Sequence, residues 1–282
     1  MSTPLRRGRT LRSRLLGFIR DATTRLTAAW RILPTAQRRL VDALARIRPG
    51  RGGTTAIRTA TAAYQRSLAA FDRAIMAFAE RWAATDLPLI YRQGAFTTLD
   101  HLDRPHRLWS WTGPHQAAIT ALSAQYYTDL VRRLHEALRR ARAFLRAALD
   151  AVQRQTDRFA YGQIDRTQLL ADHPLDIVLY ANNARHPVHA WASAALTWQA
   201  VTTANTGAAR TTLDDLGIEW MEIRDGSSCG WTSHDDPDRA NGTLRTVHDA
   251  LAHPSAHPHC IRELLPRPDI ISRPDYAFGS PF

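Results

Sequence analysis

Cys229 and Cys260 are the two cysteines of a 282-residue chain, and they stand at opposite ends of one short segment with histidines beside each. The first end reads Asp225-Gly226-Ser227-Ser228-Cys229-Gly230-Trp231-Thr232-Ser233-His234, and the second His257-Pro258-His259-Cys260-Ile261-Arg262. Thiolate and imidazole are ligands that zinc favours, so two such ends brought together in space can hold a metal. Two cysteines without histidines could only cross-link. The other fates of the pair are free buried thiols among solvated histidines, or a Cys229–Cys260 disulfide formed outside a reducing compartment. Ser227 and Ser228 lie in a loop, where a serine more often caps its own backbone than acts as a nucleophile.

The elements around this segment follow from local pattern. Leu216-Gly217-Ile218 leads into a strand predicted over 218–224, with Ile218, Trp220 and Glu222 on one face and Glu219, Met221 and Ile223 on the other. Both faces carry apolar groups, so the strand is expected to be paired and partly buried. Asp225-Gly226 makes the next turn, with the Asp225 carboxylate accepting from nearby backbone N–H groups. The acidic run Asp235-Asp236-Pro237-Asp238 follows, then Asn241-Gly242, a strong tight-turn signal. A second strand over 243–245 and a small helix opening at Thr246 complete a short β-hairpin Cys/His module. Trp220 and Trp231 are expected to supply core to a domain too small to have much otherwise.

The order of strand, Asp225-Gly226, Cys229, Asn241-Gly242 and His257-Pro258-His259-Cys260 resembles the C-terminal domain of MuF-like phage head-morphogenesis proteins. These are also called minor capsid or minihead proteins, and the likeness is greatest to versions found in phages of actinobacteria. The resemblance covers about the last third of the chain, from the helix carrying Thr202-Thr203-Ala204-Asn205-Thr206-Gly207 onward. Two positions depart from the family. Many relatives have a second cysteine where Thr232 stands, and many end the motif on a cysteine where Arg262 stands. A retained metal would then rest on Cys229, His234, His257 and Cys260, an acceptable tetrahedral zinc set. The resemblance implies a minor capsid protein of a tailed phage or prophage, inside the head near the portal and without a catalysed reaction. Morphogenesis, with DNA packaging or ejection as further roles, is the implied function. Portal and capsid proteins are the implied partners, and synthesis would be in the bacterial host cytoplasm.

Upstream of the motif the chain reads as long helices. Leu11, Leu15, Ile19, Ala22, Leu26, Trp30 and Leu33 recur at three- and four-residue steps, with Pro34 expected to end that helix. Leu40 to Ile47 marks a second helix stopped by Pro49-Gly50, and Arg51-Gly52-Gly53 reads as a linker. A third helix runs from Thr54 through Trp82 to an interruption at Asp86-Leu87-Pro88. From Thr112-Gly113-Pro114, an apolar stripe keeps helical period to about Gln155, a helix about 60 Å long. Such a length suits a bundle or coiled-coil strut. The fold class is therefore mainly α, with long helices followed by a small C-terminal α+β domain. In chain order the blocks are a basic amphipathic arm (1–53), a long-helix domain (54–186) and a MuF-like domain with tail (187–282).

All 37 basic side chains are arginine. Fourteen fall in residues 1–58 against Asp21 and Asp42, a local balance of +12. A basic arm can touch DNA or an acidic protein surface, or can be a solvated helix face. Arg6, Arg7, Arg9, Arg12 and Arg14 are the residues expected to meet double-stranded DNA or portal. No stretch approaches the roughly 20 apolar residues of a membrane span, so a soluble chain is expected. Two other functions compete with the virion role. A metal-dependent nuclease could use Asp225, Asp235, Asp236, His257 and His259 in a ββα-like site. A zinc-stapled module could bind nucleic acid or protein, although the acids over 214–238 would repel phosphate from that surface. Phosphate-loop, nucleophile-elbow and zinc-protease motifs are absent.

Overall fold

A computed structural model describes residues 10–47, 52–157, 164–180 and 182–270. Arg6, Arg7, Arg9 and the Pro49-Gly50-Arg51 break lie outside the described residues. Helix α1 is Leu11–Trp30 and α2 is Ile32–Ala45, so the break falls at Arg31 and not at Pro34. Proline costs little in a first turn, where its missing N–H would be unpaired anyway. Helix α3, Gly53–Arg81, continues through a single π-turn, Trp82–Asp86, into α4, Leu87–His101. Pro88 again opens a helix, and the expected interruption is a wider turn in a continuous run.

Helix α5, Gly113–Asp157, is the long strut anticipated from the apolar stripe and reaches 45 residues, about 67 Å. Helix α6, Arg166–Asp172, precedes two short antiparallel strands, β1 (Ile177–Leu179) and β2 (Arg185–Pro187). This hairpin was not expected from the pattern; its turn holds Asn183 at φ 61°. Helix α7, Val188–Arg210, ends in a second π-turn, Thr211–Asp215. Strand β3 (Trp220–Arg224), β4 (Leu244–Thr246), helix α8 (Val247–Ala252) and β5 (Glu263–Pro266) complete the order.

Packing gathers these elements into two units built from non-consecutive segments, whereas the blocks read from the sequence follow chain order. One unit comprises Met1–Asp21, Ala83–Tyr126 and Ser193–Phe282; the other comprises Ala22–Trp82 and Tyr127–Ala192. In the second unit Trp30 is the hub. Its ring lies 5.5 Å from both Phe71 and Trp191, and its indole N–H donates to the Leu175 carbonyl at 3.1 Å. Tyr64 packs on Phe144 and donates its hydroxyl to the Ala141 carbonyl at 3.1 Å, satisfying a polar tip that burial would otherwise penalise.

In the first unit, helices α4 and α7 meet backbone to backbone. A side chain at Gly94 would put its Cβ 1.7 Å from the Ala204 carbonyl oxygen, and one at Gly207 would stand 2.2 Å from that of Tyr91. Gly94 and Gly207 thus let the two helices touch. Beside them is an antiparallel sheet of order β4-β3-β5. Met221 and Ile223 point from β3 into a core with Trp231, Val247, Ala250 and Leu264. Strand β5 was not anticipated, so the expected hairpin is a three-stranded sheet with β3 in its centre.

Candidate metal centre

Strand β3 ends at Arg224, and the chain leaves the sheet for a long excursion before returning in β4. Asp225 starts the excursion and Asn241 closes it: the Asn241 side-chain oxygen accepts the Asp225 N–H at 3.0 Å. Gly242, at φ 79°, sends its N–H to the Ile223 carbonyl at 2.8 Å. The Asn-Gly pair therefore pins the excursion to the end of β3 and does not form a two-residue hairpin loop. Asp225 also accepts the Gly226 N–H at 2.8 Å, and the Cys229 N–H donates to the Gly226 carbonyl at 2.9 Å, shaping the turn that presents Cys229.

Cys229, His234 and His257 come together, with their ligand atoms all within 4.8 Å of one another. Cys229 Sγ lies 3.2 Å from His257 Nε2, and the two imidazole rings are 5.0 Å apart at 76°. Cys229 is buried, His257 half-buried and His234 exposed, so the group opens to solvent on the His234 side. One thiolate and two imidazoles suit zinc, whose bond lengths separate tetrahedral ligands by about 3.5 Å. The observed spacing needs only small side-chain shifts to close on such an ion, and the donor set fits.

Cys260 is not in this group. Its Sγ faces the Asp225 carboxylate, at 3.5 and 3.6 Å from the two oxygens. The fourth member of the tetrahedral set read from the sequence is thus turned toward a carboxylate, and three ligands assemble without it.

Electrostatics set the protonation of these ligands. Burial foremost, then a hydrogen bond and charge from Asp225, push the Cys229 thiol up to about 11. Burial foremost, then the neighbouring His234, hold His257 below the ordinary imidazole range. His257 is therefore neutral at pH 7, the form that ligates, while Cys229 must give up a proton to do so.

The residue that organises the site is Arg262. It is wholly buried against a wholly buried Asp225, with Nε donating to Oδ2 at 2.9 Å. Its other nitrogens donate to the carbonyls of Trp231 (3.0 Å), His253 (2.6 Å) and Gly230 (2.9 Å). The guanidinium carbon sits 4.6 Å from the Trp231 ring centroid, within cation–π range. From α7, Asn205 donates to the carbonyls of Pro254 (2.7 Å) and Arg262 (2.9 Å). One arginine thus ties both ends of the Cys/His segment together. Sequence reading missed it because nothing local separates a buried arginine from the chain's many exposed ones.

Two of the three acids of the nuclease alternative, Asp225 and Asp236, are engaged otherwise. Asp225 is spent on Arg262. Asp236 accepts from the Thr232 N–H at 3.0 Å, the Thr232 hydroxyl at 2.5 Å and the Asp238 N–H at 2.9 Å, and these bonds hold its pKa down at about 2. Of the five arginines expected to meet DNA or portal, two lie within the described residues: Arg12 is exposed, while Arg14 pairs with Asp100 at 2.5 Å. A second buried polar node was also missed: His115, fully buried, joins the Tyr91 hydroxyl and Asp215, each at 2.9 Å. Among the described residues no helix is long and apolar enough to cross a membrane. Searches against protein-family models, curated proteins and solved structures found no match to the chain.

Proposed function

We propose that this chain is a MuF-like minor capsid protein of a tailed phage or prophage, with a structural role inside the head near the portal. The observation that carries this reading is the fate of the motif residues. Asp225, Asn241, Cys260 and Arg262 spend their polar atoms on one another and on nearby backbone, which is the behaviour of a stapled plug. In this reading Cys229, His234 and His257 hold zinc as a second staple on the same segment, closing the loop that carries His234 onto the loop that carries His257. Zinc would neutralise the thiolate and fix the two imidazoles, and the residues' part is to position it. The long helices would pack on portal or shell, and Arg6, Arg7, Arg9 and Arg12 would meet packaged DNA or an acidic portal surface.

The test is composition of particles from the phage or prophage that encodes the chain. The protein is expected in purified DNA-filled heads at a few copies per particle, and its deletion is expected to lower the yield of filled heads. Its absence from particles, with normal yield after deletion, would refute the assignment.

A further inference from the structure

We propose that the outer face of α5 between Arg132 and Arg154 binds the phosphate backbone of duplex DNA. The starting point is where the charge lies once the chain is folded. The segments Ala22–Trp82 and Tyr127–Ala192 contain 21 arginines and ten acids, a balance of +11. The other unit contains sixteen of each, so one unit carries the whole formal net charge of +11. Reading along the chain placed that excess in an N-terminal arm; packing groups part of the arm with the arginines of α5.

Along α5 the exposed positions from 132 to 154 are Arg132, His135, Arg139, Arg142, Arg146, Asp150, Gln153 and Arg154. Arg132, Arg139 and Arg146 recur every seven residues and form a nearly straight row with steps of about 10.5 Å, with Arg142 alongside. Arg132 is bonded to Asp129 at 2.5 Å, but the guanidinium groups of Arg139, Arg142 and Arg146 have no partner among the described residues. The helix already holds these charges in line. A straight duplex carries about one charge per 1.7 Å of axis, so the row meets phosphate over its full length and releases counterions as it does so.

The same face lacks what a protein partner needs. Protein interfaces centre on apolar or aromatic anchors, and none of the exposed residues of this stretch is apolar. Besides arginine the face exposes only His135, Asp150 and Gln153, and guanidinium groups spent on phosphate carry no sequence information, so binding would be indifferent to sequence. The inference does not rest on the capsid reading, because a DNA-binding strut would serve any chain that handles duplex DNA.

The test is binding of the full chain to a random duplex of about 30 base pairs by fluorescence anisotropy from ~50 to ~200 mM salt. The variant is Arg139→Gln/Arg142→Gln/Arg146→Gln, since glutamine keeps the helix and removes only charge. It is expected to melt as the wild type, to bind at least tenfold more weakly and to flatten the log K against log salt slope by about 2.7, or 0.9 per lost contact. Arg6→Gln/Arg7→Gln/Arg9→Gln is expected to lower the slope only by its own share and to leave the share of the α5 row in place. Polyglutamate is expected to bind far more weakly than DNA. The proposal is overturned by absent DNA binding at the lowest salt, by wild-type binding in the α5 variant, by a slope lost only in the arm variant, or by equal affinity for polyglutamate.

Discussion

Replacing Arg262 by leucine would leave the Asp225 carboxylate charged, buried and short of its partner, along with three carbonyls that lose a donor. Breaking a buried ion pair from one side costs about 3–5 kcal/mol, so chemical denaturation of Arg262→Leu should show a loss of that order. Adding Asp225→Leu removes the orphaned charge, and the double variant should lose less than the sum of the single changes. The neighbouring ligands make a pH prediction. Protons compete with metal for the Cys229 thiol, whose pKa is raised to about 11, and for His257, whose pKa is lowered. Zinc affinity should therefore rise by about tenfold per pH unit from neutral pH upward, levelling off as the thiol ionises. A competition titration with a chromogenic chelator across pH 6.5–9 would read it. Without metal the sign reverses: a raised thiol pKa contributes stability below the unfolded value of about 8.5 that is lost as pH rises through the folded value. These residues also mark what could be read in advance. That cysteine and histidine from the two ends of the segment meet was legible from type and spacing, whereas the choice of His234 and His257 came from the resemblance and brought Cys260 with it. The turning of Cys260 toward Asp225 and the burial of Arg262 were not legible, because both depend on partners about 35 residues away along the chain.

Among the elements, the crossing of α4 and α7 has the least tolerance. Ala at Gly94 or Gly207 would drive a methyl into a backbone carbonyl, which cannot swing aside, so the helices must part. Each substitution should destabilise by about 1–3 kcal/mol or more in thermal or denaturant melts. Gly17, inside α1, is the contrast: nothing lies within 4 Å of its would-be Cβ, and Gly17→Ala should stabilise by about 0.5–1 kcal/mol. The long helices were legible because three- and four-residue apolar steps carry their own signal over many turns. Their ends were less so. Pro34 and Pro88 were read as stops and are first-turn residues. Strand β5 was missed because Glu263, Leu264, Leu265 and Pro266 are all buried, giving no in–out alternation, and a terminal proline argues against a strand.

For the whole molecule, two units drawn from interleaved segments separate two kinds of chemistry. The neutral unit holds the Cys/His group and the Arg262 knot; the basic unit holds the arginine row of α5. A chain-order reading cannot find that partition, since α1, α5 and α7 each contribute residues to both units. Loss of metal should accordingly leave DNA affinity of the full chain unchanged, which anisotropy in the presence of a chelator would check. The most direct test of the metal-stapled module is elemental analysis and thermal melting of the purified chain beside Cys229→Ala. About one zinc per chain, absent from the variant together with a lower melting temperature, is the expected result. A metal-free wild type that melts no lower when Cys229 is removed would contradict it, leaving Arg262 and Asp225 as the staple of the module.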